Sequence, residues 1–91
     1  MILLNSIAQF LDSDGKIMQM PMKKDKRKDV LLYLGTKFEI GRNYTEKEVN
    51  AIIDDWHTFG DYFLLRRELI IADVLRRTRD GAKYWREVSE D

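Results

Sequence analysis

Residues 64–86, LLRRELIIADVLRRTRDGAKYWR, change hydrophobic period within a few positions. Leu65, Leu69 and Ala72 recur at the spacing of one helix face, which predicts a helix over 62–72 with that stripe buried. Arg66 and Arg67 fall beside the stripe, on faces turned more toward water. From Val74-Leu75 the chain reads as extended. Asp80-Gly81 is a hairpin signal, because both residues tolerate the positive φ of a type I′ turn. Ala82 to Arg86 then returns as a second strand carrying Tyr84 and Trp85. A helix feeding directly into a basic hairpin at 74–86 leaves few folds open to a chain of 91 residues.

The residues ahead of this stretch supply the remaining elements. Leu3, Leu4, Ile7, Ala8 and Leu11 share a helical spacing with Phe10 alongside, so residues 2–11 read as a short amphipathic helix or an extended arm. Asp12-Ser13-Asp14-Gly15 carries turn chemistry. It resembles a calcium loop only faintly, lacking the full register of carboxylates and a Glu at the twelfth position. Lys16 to Met20 reads as a short strand closed by Pro21. Alternation places Met18, Met20 and Met22 on one face, as core or as a dimer seam. A helix follows over about 23–38, with Arg27, Leu31, Leu34 and Phe38 on one side and Gly41 beyond its end. Thr45 and Glu48 form a capping box, flanked by Tyr44 and Val49 at the positions of a hydrophobic staple. Val49, Ile52, Ile53 and Trp56 continue that helix to about His57. Residues 57–61 form the turn into the 62–72 helix.

Charge is polarised rather than absent. The chain holds 16 basic and 16 acidic side chains. Residues 23–42 carry seven basic groups against three acidic, and residues 61–86 carry seven against four. Residues 46–55 carry four acidic groups against one basic. A neutral balance argues against strong non-specific nucleic-acid binding, while the local excess permits a phosphate-facing surface. Cysteine is absent, which excludes disulfides and thiolate metal sites and fits a reducing compartment. No secretory leader pattern and no apolar run of membrane-spanning length occurs, so a cytoplasmic protein without membrane contact is expected.

The element order is helix, stub of strand near Arg42–Tyr44, helix, turn, helix, hairpin. That is winged helix-turn-helix order, an α+β and mostly helical fold, with an extra N-terminal helix and short strand in front. One domain is expected: a 1–22 extension, a 23–86 core and an acidic tail at 87–91.

The motifs FLDSDGKI, FEIGRNYTEKEVNAII, LLRREL and RTRDGAKYWR cover most of the chain from Phe10 to Arg86. In these it resembles a bacterial domain-of-unknown-function family whose members occur alone or joined to winged-helix transcriptional regulators. The segment LLRRELIIADVLRRTRDG is also similar to the recognition helix and wing of metal-responsive and multiple-drug-resistance repressors. It departs from them at Asp73, where a glycine is usual; Asp also accepts a left-handed cap. The resemblance implies a transcription-associated role.

The expected function is therefore a transcriptional regulator, a homodimer binding double-stranded DNA. Arg66 and Arg67 would meet the major groove, and Arg76, Arg77, Arg79 and Lys83 the backbone or minor groove. Lys23, Lys24, Lys26, Arg27 and Lys28 lie where cations oppose a helix dipole, and Lys23, Lys24, Lys26 and Arg27 are candidate further phosphate contacts. Each group has a plainer reading: solvated helix faces with weak local pairs, and charges that guard a strand edge. The alternative function is a protein-interaction, dimerisation or ligand-sensing module on the same scaffold, favoured by zero net charge and the acidic 46–55 helix. His57 lies near Asp54, Asp55 and Asp61, but a lone histidine at a helix end reads first as a cap. No metal, cofactor or catalytic constellation is expected, and the chain does not read as an enzyme.

Overall fold

In the computed structural model, which describes residues 4–87, three helices of ten to twelve residues surround one apolar core. Ahead of them a single helical turn, α1 (Leu4–Ile7), tightens into a 3₁₀ turn at Ala8–Phe10. The helices are α2 (Lys24–Gly35), α3 (Glu46–Asp55) and α4 (Tyr62–Ile71). A two-stranded antiparallel sheet closes the chain, β1 (Arg76–Arg77) paired with β2 (Tyr84–Trp85). The fold is α+β. Leu3 and the tail positions Glu90 and Asp91 lie outside the described residues.

α3 and α4 begin where a polar side chain replaces lost backbone partners. The Thr45 hydroxyl accepts the Glu48 amide at 3.1 Å, and the Glu48 carboxylate accepts the Thr45 amide at 2.8 Å. Two orphan donors are thereby satisfied, as the sequence predicts. Asp61 caps α4 by accepting the Leu64 amide at 3.1 Å. By contrast, α2 starts at Lys23 with no side-chain cap.

α4 packs against both α2 and α3 and is the element they share. Its Leu65 and Leu69 are fully buried, with Leu34, Val49 and Ile53 buried in the same core. Gly35 ends α2 against Val74: a Cβ there would stand 2.5 Å from Val74 Cγ1, so only a glycine allows this approach. α4 stops in a Schellman motif. The Asp73 amide donates to the Ile70 carbonyl at 3.0 Å and the Val74 amide to that of Leu69 at 2.9 Å. Asp73 adopts φ +64, so the left-handed cap expected there is present on an aspartate.

Four details differ from the sequence expectations. The strand expected at Lys16–Met20 is reduced to isolated bridges at Ile17, to Leu11 and to His57, because neighbouring chain is paired at that one residue alone. Met22 is 92% exposed and Met18 43%, so the methionine row does not enter the core as a unit. α2 ends at Gly35 rather than near Phe38, although Phe38 is still buried. The hairpin is not turned by a two-residue type I′ loop. Asp80 keeps a negative φ and only Gly81, at φ +74, is left-handed, so four residues, Arg79 to Ala82, connect the paired Thr78 and Lys83. The Thr78 hydroxyl explains this. It donates to Asp80 at 2.7 Å and accepts the Ala82 and Lys83 amides, which stabilises the wider loop.

A third strand position completes the sheet. Tyr44 exchanges both backbone hydrogen bonds with Tyr84 at 2.8 Å, the stub expected near Arg42–Tyr44. The Tyr44 hydroxyl accepts the Glu39 amide, and its ring meets that of Phe38 edge-on at 5.3 Å. The hairpin is thus fixed beside the start of α3, facing the outer side of α4.

Candidate functional site

Between the outer side of α4 and the hairpin lies a half-open cleft of about 330 Å³. Phe63, Arg66, Arg67, Ile70 and Ile71 line it from α4, Arg77 and Tyr84 from the hairpin, and Glu46 from the start of α3. The α4 positions repeat at three and four residues, so they form one helix face. It is opposite in direction to the buried pair Leu65 and Leu69. Seven of the ten α4 residues are apolar, more than one core-facing stripe requires. The surplus is in water: Phe63 is 58% exposed and Ile71 67%.

The polar groups at the base of the cleft form a chain across three elements. The Tyr84 hydroxyl donates to Glu46 at 2.9 Å. Glu46 lies 3.8 Å from the Arg66 guanidinium, which also donates to Asn50 of α3. Burial, and then the hydrogen bond to Glu46, push the Tyr84 phenol above its ordinary value. Tyr84 therefore stays neutral and keeps its proton for Glu46.

This corrects the expected exposure of Arg66. Its side chain is only 14% exposed and is held against the acidic helix, because Glu46 and Asn50 offer it acceptors that the sequence spacing along α4 could not reveal. Arg67 is exposed and, among the described residues, makes no ion pair. Arg77 reaches back to the Thr78 and Arg79 carbonyls at 3.5 and 3.4 Å, long contacts that leave its other donors uncommitted. With Arg66 offset by Glu46, the cleft keeps two available guanidinium groups, one on each wall.

The other candidate cations are placed elsewhere. Arg76 sits 3.2 Å from Glu87 and 3.7 Å from Asp73. Arg79 and Lys83 are exposed on the hairpin loop, outside the cleft lining. Lys23, Lys24, Lys26 and Arg27 lie at the start of α2, and Arg27 is ion-paired to Glu68 of α4. The basic segments therefore do not merge into the cleft. His57 is buried as a cap: Nδ1–H donates to the Ile53 carbonyl at 2.7 Å and Nε2 accepts the Asp61 amide at 2.9 Å. Both ring nitrogens are engaged, which leaves neither for a metal.

The apolar outer face of α4 is the feature the sequence reading missed. Its signal was available in YFLLRRELII, where Phe63, Ile70 and Ile71 fall off the Leu65–Leu69 stripe.

Neither the curated proteins nor the solved structures contain a match to the chain. Residues 16–86 match the family DUF2087, described as an uncharacterized protein conserved in bacteria. That span runs from the Ile17 bridge to the second hairpin strand and holds the buried core apart from Ile7 and Phe10, and the chain therefore belongs to the DUF2087 family.

Proposed function

We propose that the three helices and hairpin form a winged-helix scaffold that serves as an interaction and sensing module, with the α4–hairpin cleft as its binding face. The element order supports the scaffold, with Tyr44 paired to Tyr84 beside β2. One observation carries the choice of function: where a duplex reader needs polar groups, α4 turns Phe63 and Ile71 to solvent and ties Arg66 down to α3. The expected homodimer belongs to this proposal, with exposed Met18 and Met22 as its seam.

DNA binding is the second reading, and the exposed Arg67, Arg79 and Lys83 favour it. Two titrations separate the readings. In amide-resolved NMR, a neutral apolar probe such as cyclohexanol is expected to shift residues 63–71, 77 and 84 selectively. Duplex DNA at low salt is expected to bind weakly or not at all. Duplex binding with a log–log salt slope of about −0.9 per phosphate contact, abolished by Arg67→Ala with Arg77→Ala, would overturn the proposal in favour of a DNA reader.

A further inference from the structure

The charge of the cleft favours an anionic ligand over a neutral one of the same shape. Three guanidinium groups line it and one carboxylate, Glu46, which already accepts from Tyr84 and faces Arg66. The remaining positive charge sits on opposite walls, at Arg67 and Arg77, over an apolar surface made by Phe63, Ile70 and Ile71. Arg recognises a carboxylate through parallel N–H donors, and a planar aromatic beside it excludes water from the pair. The cavity is at the small end of the range of about 300–1,000 Å³ typical of ligand sites.

We infer that the cleft binds a small amphipathic carboxylate: an aryl or short alkyl acid whose apolar body rests on Phe63 and Ile71 and whose carboxylate is held by Arg67 and Arg77. This rests on the reading of the cleft as the binding face and names the ligand class. The exposed apolar surface favours an acid with an apolar body over a simple anion. Glu46 and Arg66 are occupied with each other at the base, so the acid's carboxylate is left to Arg67 and to the uncommitted donors of Arg77.

The test compares three probes by amide-resolved NMR titration at millimolar concentration: 3-phenylpropionate, its uncharged amide, and inorganic phosphate. The acid is expected to shift residues 63–71, 77 and 84, with the amide at least tenfold weaker. Arg77→Gln and Arg67→Gln are each expected to weaken the acid about tenfold or more, the scale of one lost charge-assisted hydrogen bond. Arg79→Gln, on the same hairpin but outside the cleft lining, is expected to change nothing. A thermal melt of each variant separates lost binding from lost folding. Equal binding of acid and amide would overturn the inference while leaving the binding-face proposal standing. Phosphate binding as well as the acid would overturn it too, because the apolar surface would then contribute nothing. No shift with the acid, when cyclohexanol does shift the cleft, would likewise overturn the ligand class and not the face.

Discussion

The guanidinium of Arg66 donates to Asn50 and lies 3.8 Å from Glu46, whereas that of Arg67, one position on, projects from the exposed side of α4. The two should respond differently to truncation. Arg66→Ala leaves Asn50 and Glu46 without a donor across the α3–α4 contact, and is expected to cost about 0.5–1.5 kcal/mol, the net value of a hydrogen bond whose partners can rehydrate. Arg67→Ala is expected to stay within about 0.5 kcal/mol of the parent, as for a surface position with no partner. Chemical denaturation of both variants checks this, and equal losses would mean that the Arg66 contacts contribute nothing. The difference was hidden in the sequence, because RR at 66–67 gives a bearing around one helix and not the acceptors a second helix brings to it. Asp73 is the opposite case. Its conformation follows from local chemistry alone, since the end of a helical stripe followed by an extended run requires a left-handed residue, and φ +64 is what the structure has.

Elements whose limits are set by neighbours in sequence were readable; those set by tertiary partners were not. The capping box of α3 spans four consecutive positions and occurs as expected. The Lys16–Met20 strand failed because alternation cannot report whether a second strand lies alongside. The hairpin was placed correctly but its turn was not, since Asp80-Gly81 signals a tight loop only if Thr78 does not compete for the same amides. The α3 cap also predicts a pH dependence. The Thr45 amide, then the Thr45 hydroxyl contact and the charge of Arg42, hold the Glu48 carboxyl below its ordinary value of 4.5. A depressed carboxyl contributes stability that is fully present above that ordinary value and is lost as pH falls through the lowered one. Glu48→Gln keeps an acceptor in the capping box but removes the charge. The stability difference between parent and variant is therefore expected to shrink as pH falls below about 4.5, read from urea midpoints across the acid range. A difference that is constant with pH would rule out the charge as its source.

The molecule as a whole is neutral but divided, with acidic α3 between two basic segments, and the structure uses part of that division internally. Arg27 meets Glu68 between α2 and α4, Arg66 meets Glu46 between α4 and α3, and Arg76 meets Asp73 and Glu87 around the hairpin. Charge counts along the sequence could show the segments but not this cross-pairing, so they overstated the basic surface left for a partner. Among the described residues no helix is long and apolar enough to cross a membrane, and the apolar surface that remains is turned to solvent. The proposed homodimer makes a concrete demand on that surface. Sedimentation velocity over a concentration series is expected to show a dimer, and Met22→Asp, at a 92% exposed position, to shift it to monomer without lowering the melting temperature. A monomer at every concentration would remove the homodimer from the proposal.

Tyr84 joins the hairpin to the body twice, through its backbone to Tyr44 and through its hydroxyl to Glu46. Strands of two residues cannot hold themselves together in water, so the outer wall of the cleft has no rigidity of its own. It borrows its position from Tyr84 and from the adjoining Arg86, whose carbonyl accepts the Gly41 amide at 3.2 Å and whose guanidinium donates to the Phe38 carbonyl at 3.2 Å. Those few ties set the gap between the Arg67 and Arg77 walls, so the aperture depends on anchors that lie outside the hairpin itself.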